Sequence, residues 1–526
     1  MAILTHPYTH IALGMLLVLV LFSVALSYQR KMAGTLSFAM DDSWIHVAVA
    51  HNLATGQGWG IIPGKMLSVS TSPTWTLFLA FFFLFFVNPI KIVFLCSLLS
   101  MAAVCIFSYL LAWQLTERKS LAMLALFLIV TNPICIWGVS SGLELPLALA
   151  SLMLALYSFY SSEPTSWRRK VVVPLCCVFA AVTRPELFVL IPLALADTWR
   201  VLYFSERDRS KLIPTIVTQC LVTLAALAPY FIFNLLSHGK IFPATYYAKT
   251  IVRGVGLSSA LASGSWNAIE QSLLYDPLRQ VAQIMSVLQG QNVVMLLLLT
   301  PALLLFCKPF STKVAARGFL LPLAVFIIPW VMGMSSPSRL MSNHADRYFV
   351  IFPPLVALMA CLSLKLLLDA GKARFLTGFL ALLMVLLPWR TLKPTFRHIG
   401  IDAESTQRLY VEMPVWLAQN LDPKAKLAVN DIGGIAYYAP RDLIDVMGLA
   451  TPEVWPAIQR GYGEPVPVAR LREYLREQKI EYIILSPRYY TELTKDKATF
   501  EPIKEWKEGY EHGRTISPQI LYKVHW

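Results

Sequence analysis

One stretch near the N-terminus, Phe38 to Trp75, carries the strongest signals in the chain and reads FAMDDSWIHVAVAHNLATGQGWGIIPGKMLSVSTSPTW. It follows a long apolar segment and opens with two adjacent carboxylates, Asp41 and Asp42. An unpaired charge beside hydrocarbon costs several kcal/mol, so charged groups held next to a membrane usually serve a function. The pattern predicts a helix over 44–54, then a glycine-rich turn and a polar segment. We therefore expect this loop to hold the active site.

The composition excludes a single soluble domain. Of the 526 residues, 56% are hydrophobic, and the mean hydropathy is +0.57. Soluble chains lie nearer 45–50% apolar, roughly, and rarely contain runs of about 20 apolar residues. The net charge is +14, but the basic residues are spread between apolar segments instead of massed on one domain. Nucleic acid is therefore not an expected partner, whereas the lipid bilayer and phosphate-bearing lipids are.

Apolar runs long enough to cross about 30 Å of hydrocarbon recur as far as residue 390. The predicted spans, about eleven in number, lie near 11–29, 92–115, 120–137, 143–160, 171–183, 186–204, 212–236, 292–307, 318–334, 347–364 and 374–391. The segment Trp75–Val87 is too short to cross comfortably and is predicted to be an interfacial or re-entrant helix. The fold class expected is a polytopic α-helical membrane protein with juxtamembrane helices in its first external loop.

Basic residues fall in alternate loops, which sets the expected orientation because Lys and Arg favour the cytoplasmic side. The clusters lie near 118–119, 168–170, 207–211, 308–317 and 365–374. On this basis the N-terminus is inside, and the loop with Asp41 and the C-terminal tail are outside. Arg30 then lies on the unexpected side, where it either neutralises a phosphate or reaches back to the interface from a helix end. The turns at 140–144 and 183–186 and the loops 237–292 and 335–347 are expected on the same outer face.

After residue 394 the character changes, and the remaining sequence is charged with no spanning run. We predict a transmembrane catalytic module over 1–394, whose first external loop is 30–91, and a soluble α/β domain over 395–526. The patterns predict helices at 404–421 and 468–478 and strands at 426–429, 481–485 and 516–525. Gly433 and Gly434 lie in a predicted strand-to-helix turn, but the rest of a dinucleotide fingerprint is absent from the sequence.

The loop DDSWIHVAVAHNLATGQGW…PGKMLSVSTSPTW resembles the first external loop of the GT-C glycosyltransferases, multispanning enzymes that use sugars linked to lipid phosphates. The resemblance is closest to cell-wall arabinofuranosyltransferases. It extends along most of the chain through SGLE (141–144), RPE (184–186), YYAK (246–249), HADRY (344–348) and NDIGGIAYYAPRDLIDVMGLATPEV (430–454). The resemblance implies an inverting transferase whose loop aspartate is the general base, and we expect Asp41 or Asp42 in that role, with Asp41 preferred.

The chemistry is consistent with this pair. When a sugar leaves a polyprenyl phosphate, the phosphate is already a good leaving group, so one base and positive charge or a metal suffice. Adjacent carboxylates point in different directions, which suits one base and one orienting or metal-contacting acid. The alternative is that Asp41 and Asp42 cap the helix that follows. A divalent metal is compatible with the site, but no ligand set is evident, and no other cofactor is expected.

The remaining candidates are charged or polar residues expected on the outer face. Those expected to bind the donor phosphate are Lys249, Arg347, His344, Arg30 and Tyr247. Those expected in the acceptor site or pocket are Glu144, Glu186, Arg184, Thr71, Ser72 and Trp75. Glu144 and Glu186 could equally form structural ion pairs, Tyr246 and Tyr247 could anchor at the interface, and a lone His is often structural. Asp431 and Arg441 in the tail could contact a long acceptor or simply lie at the surface.

We therefore expect a glycosyltransferase in the cytoplasmic (inner) membrane of a bacterium, with its active site on the periplasmic or extracellular side. It would transfer arabinofuranose or a hexose from a polyprenyl-phosphate-linked donor to a hydroxyl of a cell-envelope glycan, glycolipid or protein acceptor. Two other classes remain open. One is a transporter or flippase of lipid-linked sugars, although the acids lie at helix ends and not at mid-membrane. The other is a non-catalytic assembly factor of the cell envelope.

Overall fold

The structure is a computed structural model that describes residues 6–205, 207–299, 318–335, 346–369, 374–507, 509–511, 514–516 and 518–526. Several sequence predictions lie outside the described residues in whole or in part, among them most of the outer loop 335–347 and part of the basic cluster at 365–374. The others are the phosphate-binding role of His344, the basic cluster at 308–317 and the end of the span at 292–307.

The described chain is mostly helical. Helices of the first 299 residues are Pro7–Ala33, Asp41–Ala54, Pro73–Phe83, Pro89–Thr116, Lys119–Val130, Pro133–Ser141, Leu145–Tyr160, Val173–Thr183, Leu190–Tyr203, Leu212–His238, Ala244–Tyr247, Gly256–Ser263, Trp266–Glu270 and Asp276–Leu297. Later helices are Leu320–Ser335, Phe352–Asp369, Arg374–Leu386, Trp389–Gln407, Met413–Asn420, Gly433–Tyr438, Trp455–Ile458, Val468–Glu477 and Pro487–Thr494. Short 3-10 or π-helical turns are Arg168–Val172, Pro185–Val189, Arg209–Lys211, Ala248–Val252, Gln271–Tyr275, Arg347–Phe349, Arg408–Glu412 and Pro452–Val454.

Within the described ranges, five helical segments are long and apolar enough to cross a membrane. They are Pro7–Ala33, Pro89–Thr116, Arg209–His238, Arg347–Asp369 and Arg374–Asn420. A sixth candidate is the pair Lys119–Val130 and Pro133–Ser141, which is bent by 56°. Two other predicted spans, 143–160 and 318–334, correspond to the shorter apolar helices Leu145–Tyr160 and Leu320–Ser335, so the larger count of about eleven stays a prediction. The predicted short helix after Trp75 is confirmed as Pro73–Phe83.

The helix Asp41–Ala54, which we call the site helix, is positioned by the end of a neighbouring helix. Pro133–Ser141 ends at Gly142, whose φ of +88° is one that glycine adopts readily. A Cβ on Gly142 would lie 2.6 Å from the ring of Phe38 and 2.9 Å from the side chain of Ser43. Ser43 also donates its hydroxyl hydrogen to the carbonyl of Ser141 at 2.8 Å. Glycine at this turn thus lets the helix end pack directly on the site helix.

The helix Trp389–Gln407, which we call the linking helix, joins the apolar region to the tail without a break at the predicted boundary of 395. It packs along Pro7–Ala33, where a Cβ on Gly400 would lie 2.9 Å from the carbonyl oxygen of Tyr28. The linking helix also contacts Pro133–Ser141, where the indole N–H of Trp137 donates a hydrogen bond to the carboxylate of Asp402 at 2.8 Å. The division at residue 394 stays a prediction, since this helix belongs to both sides.

The tail contains a five-stranded sheet in the order β2-β1-β3-β7-β4 and a separate hairpin of β5 and β6. The strands are β1 Leu427–Val429, β2 Leu443–Asp445, β3 Tyr482–Leu485, β4 Phe500–Trp506, β5 Gly509–Glu511, β6 Arg514–Ile516 and β7 Gln519–Val524. β1 is parallel to both β2 and β3, whereas β7 is antiparallel to β3 and β4. The predicted α/β organisation of the tail is confirmed, including the helix Val468–Glu477 between β1 and β3.

Candidate active site

The site helix begins at the two adjacent acids themselves. Its N-cap residue is Met40, whose backbone is extended and whose side chain makes no capping hydrogen bond. Asp41 and Asp42 therefore occupy the first two helical positions, where negative charge is favourable but where neither is the N-cap. The capping interpretation of the pair is wrong, because the N-cap position belongs to Met40.

Asp41 is bound to the tail. Its carboxylate accepts hydrogen bonds from the backbone N–H groups of Gly433 and Gly434, one on each oxygen, both at 2.8 Å. The pKa of Asp41 is raised to about 7, mainly by burial. The two N–H groups lower this pKa, whereas the negative charge of Asp42 raises it. A Cβ on Gly433 would lie 2.3 Å from the carbonyl oxygen of Asp41, so only glycine permits this approach.

Aromatic rings reinforce that contact. The helix Gly433–Tyr438, which we call the docking helix, packs against the site helix through Trp44. The indole of Trp44 lies 5.3 Å from the ring of Tyr437 and 4.9 Å from that of Tyr438, centroid to centroid. Such pairs contribute roughly 0.5–1.5 kcal/mol each beyond the area they bury. The tail is thus part of the site's framework.

Asp42 lies in a more open position. Its side chain keeps 31% of its accessible surface, and Oδ2 accepts a hydrogen bond from Nη2 of Arg347 at 2.9 Å. The guanidinium of Arg347 also donates to the sulfur of Met40 at 2.7 Å and to the hydroxyl of Tyr348 at 3.1 Å. Asp42 is therefore paired with a cation and still accessible to solvent, whereas Asp41 is buried.

A buried ion network lies beside this pair. Arg184 donates to Glu144 at 2.9 Å and to Glu186 at 2.7 Å, and all three side chains are at most 9% exposed. The guanidinium of Arg184 also lies 5.6 Å from the ring centroid of Tyr348, next to Arg347. Glu144, Arg184 and Glu186 were predicted for the acceptor site or pocket, with structural ion pairs as the alternative. The structure brings them together and adjacent to Asp42, but pairs their charges with one another.

His46 completes the cluster, and the sequence analysis missed it. Its Nε2 lies 3.5 Å from Glu144, while Nδ1 lies 3.2 Å from the hydroxyl of Ser70 and 3.3 Å from that of Thr76. Burial lowers the pKa of His46, although the negative charges of Glu144 and then Asp42 oppose this. The signal was present, since His46 follows Asp42 by four residues and therefore shares its helix face.

Lys249 adds positive charge at the edge of the cluster. It lies in the π-helical turn Ala248–Val252 and is half-buried. Its charge contributes to lowering the pKa of His46, which places it close to the site. Tyr247 instead packs with His238, at 6.3 Å between centroids, and with Trp455 of the tail, at 6.0 Å.

The other predicted residues lie at varied distances from this chemistry. Arg30 is exposed in the last turn of Pro7–Ala33. Thr71 is half-buried, and Ser72 and Trp75 are buried at the start of Pro73–Phe83. Asp431 accepts hydrogen bonds within the tail, and Arg441 is buried and donates to three backbone carbonyls, so the surface interpretation of Arg441 is wrong. His344 lies outside the described residues.

The contacts nevertheless confirm the predicted convergence of distant loops. The turn 140–144, the turn 183–186 and Arg347 all contact the first loop or one another. The loop after residue 237 joins them through a hydrogen bond from the N–H of Ala244 to the carbonyl of Ser68 at 2.9 Å. In the residues that the structure describes, no three His, Cys, Asp or Glu side chains are grouped as metal ligands would be.

Comparison with solved structures identifies the fold. ArnT from Cupriavidus metallidurans bound to undecaprenyl phosphate has a TM-score of 0.56 at 12% identity, with 97% of each chain covered. The same protein in the apo state has a TM-score of 0.53 at 12% identity, covering 96% of this chain and 97% of that one. The archaeal oligosaccharyltransferase AglB from Archaeoglobus fulgidus, in complex with an inhibitory peptide and a dolichol-phosphate, has a TM-score of 0.53 at 13% identity, covering 97% and 74%.

The chain has the GT-C fold. The fold expected from the loop and tail motifs is therefore confirmed over nearly the whole length. A family model described as a domain of unknown function (DUF8728) matches residues 398–522 within the tail. No curated protein sequence matches the chain.

Proposed function

We propose that this protein is a membrane glycosyltransferase that moves a sugar from a polyprenyl-phosphate donor to an acceptor hydroxyl. The fold shared with ArnT and AglB supports this, because their structures contain undecaprenyl phosphate and dolichol-phosphate respectively. The single observation that carries the proposal is the cluster of Asp42, Arg347 and Lys249 beside the site helix, since it offers one solvent-accessible carboxylate and two cations.

Asp42 is the better candidate for the general base. Asp41 has both carboxylate oxygens engaged by backbone N–H groups, whereas Asp42 is about one-third exposed. In the proposed reaction the acceptor oxygen forms a bond to the anomeric carbon while its proton passes to the Asp42 carboxylate. The bond between that carbon and the phosphate oxygen breaks, and its electron pair leaves with the lipid phosphate, so the configuration inverts.

The cations have a matching task. Negative charge develops on the departing phosphate, and preorganised positive groups stabilise it without reorganisation. Arg347 offers a planar guanidinium suited to bidentate contact with phosphate, and Lys249 supplies a second, mobile charge. Arg347 is also paired with Asp42, so a phosphate that competed for this guanidinium would leave Asp42 more basic.

The finer assignments follow the sequence resemblance. We propose that the sugar is arabinofuranose or a hexose, and that the reaction takes place on the periplasmic or extracellular face of a bacterial cytoplasmic membrane. The acceptor is a hydroxyl of a cell-envelope glycan, glycolipid or protein. The clustered acids at helix ends suit this better than a transport site near mid-membrane.

The test uses the full-length protein in lipid nanodiscs with polyprenyl phosphates that carry radiolabelled arabinofuranose, glucose or mannose. Asp42→Asn is expected to lower kcat at least about 100-fold, the loss typical of a missing general base. Unchanged turnover in that variant, with a normal melting temperature, would remove Asp42 from the mechanism. Movement of lipid-linked sugar across the bilayer without transfer would favour the transporter alternative.

A further inference from the structure

A cavity whose lining does not include the Asp42 cluster lies between the first loop and the tail. Its volume is about 700 Å³, within the range of roughly 300–1,000 Å³ typical of small-ligand sites. One wall comes from residues 61–67, the floor from the C-terminal end of Leu212–His238, and the other wall from the tail. The motifs of the sequence analysis assign no role to this cleft.

The charges in the cleft cancel. Lys65 and Lys426 face it together with Asp442 and Glu453, so it contains two cations and two anions. Lys65 and Asp442 pair at 3.1 Å across the rim with side chains 63% and 52% exposed. Exposed pairs of this kind are worth about 0–1 kcal/mol, so this one can open at little cost. A strongly anionic or cationic ligand is therefore not favoured.

The rest of the lining alternates apolar and hydrogen-bonding groups. Ile61 and Leu67 supply apolar surface, and Thr451, Tyr474 and Gln478 supply hydroxyl and amide groups. No side-chain hydrogen bond of Gln478 is found in the described residues, although its carbonyl accepts from Lys426 at 3.2 Å. A neutral sugar ring matches such a lining because it combines hydroxyl groups at its edge with C–H groups on its faces.

An extended peptide matches the cleft less well. β2 is the edge strand of the sheet and faces the cleft through Leu443 and Ile444, so a peptide could in principle add to it as a further strand. However, the backbone N–H of Asp445 donates to the hydroxyl of Thr451 at 2.9 Å. The backbone carbonyl of Asp445 accepts from the N–H of Gly448 at 3.0 Å. The turn that follows β2 thus occupies the backbone N–H and carbonyl of Asp445, at the end of the strand to which a peptide would have to add.

The cleft adjoins the reaction centre on two sides. Asp445, directly after Leu443 and Ile444, is close enough for its negative charge to help raise the pKa of Asp41. On the other side His238 lines the cleft and contacts the ring of Tyr247, two residues before Lys249. The cleft is therefore lined by residues that lie next to the neighbours of Asp41 and Lys249.

We propose that this cleft binds a neutral saccharide segment of the acceptor and so selects a glycan acceptor. The inference rests on the proposed function and narrows its acceptor class. Binding in the cleft needs no chemistry at Asp42, so the two ideas can fail separately.

The experiment measures binding of fluorescent arabinan, mannan and α-glucan pentasaccharides to the full-length protein in nanodiscs, with a labelled ten-residue peptide for comparison. At least one pentasaccharide is expected to bind wild type and Asp42→Asn equally. Lys65→Ala and Gln478→Ala are each expected to weaken it about tenfold, as loss of one hydrogen bond of about 1.4 kcal/mol predicts. The control Glu477→Ala, exposed on the same helix as Tyr474, should bind as wild type.

Three results would overturn the proposal. They are binding of none of the pentasaccharides, binding of the peptide in their place, and saccharide binding that Lys65→Ala and Gln478→Ala leave unchanged at normal melting temperatures. Saccharide binding that follows these variants but is never accompanied by transfer would support the cleft and count against the proposed reaction alone.

Discussion

The contact between Asp41 and the docking helix gives a sharp prediction for Gly433→Ala. The added methyl group would lie 2.3 Å from the carbonyl oxygen of Asp41, 2.9 Å from its Oδ1 and 3.0 Å from the backbone nitrogen of Ile45. Two of these three neighbours are backbone atoms of the site helix, so the methyl group cannot be accommodated by rotating a side chain. The docking helix and the site helix must move apart.

The expected magnitude follows from two effects. Overpacking a tight contact typically costs about 1–3 kcal/mol. A hydrogen bond to a charged group contributes about 1.5–3 kcal/mol, and stretching the two bonds to the Asp41 carboxylate removes part of that contribution from each. We expect the variant to lose about 2–5 kcal/mol in the free energy of separating the tail from the first loop. Because Asp42 follows Asp41 directly, a shift of about 1 Å is expected to lower kcat about 100-fold.

The assay combines hydrogen exchange of peptides covering 430–440 with kcat in nanodiscs. Exchange there should rise at least about tenfold, since each 1.4 kcal/mol is a factor of ten in the opening equilibrium. Gly378→Ala is the matched control, because a Cβ there meets nothing within 4 Å and the residue lies inside a helix. Wild-type exchange and turnover in Gly433→Ala would refute the idea that the tail positions the site helix.

Three further predictions concern the same cluster. Burial raises the pKa of Asp41 to about 7 from an unfolded value of 3.8, so the folded state holds its proton longer. Stability should therefore fall as the pH rises from about 4 to 7, by at most about 4 kcal/mol, and Asp41→Asn should remove that part of the slope in chemical unfolding. Arg184→Ala leaves two buried carboxylates without their partner and should cost about 3–5 kcal/mol in melting experiments, while Arg184→Lys should recover part of it. His46→Ala should cost about 1–3 kcal/mol, because the buried Glu144 carboxylate loses the imidazole beside it and the Ser70 and Thr76 hydroxyls each lose one of their partners; a wild-type melting temperature would contradict this.

Local and periodic signals predicted much of the molecule. The apolar runs, the helix Val468–Glu477 and the strands β1 and β3 follow patterns contained in short windows of sequence. The charged turns with Glu144 and Arg184 were predicted to meet on one face, and they do. Such predictions succeed because hydrophobic periodicity and turn residues act over a few positions.

Contacts between residues far apart in the sequence could not be predicted, because the signals that predict structure act over only a few positions. Asp41 and Gly433 are separated by 392 positions, and no local pattern pairs them. The two glycines were considered as a cofactor turn, whereas their use is to let a backbone approach a carboxylate. Arg441 was expected at the surface, yet its guanidinium is buried against three carbonyls, because a planar group with five donors can be satisfied inside a domain.

The unbroken run from Trp389 to Asn420 has a practical consequence for anyone exchanging tails between related chains. Helical phase is transmitted along it, so inserting or deleting one residue in its α-helical parts, Trp389–Gln407 and Met413–Asn420, would turn everything downstream by about 100° and shift it by about 1.5 Å. Gly433 and Gly434 would then no longer face the start of the site helix. A splice placed inside this helical run must therefore keep the number of residues in the run, whereas a splice in the loop after Asn420 leaves its helical phase unchanged.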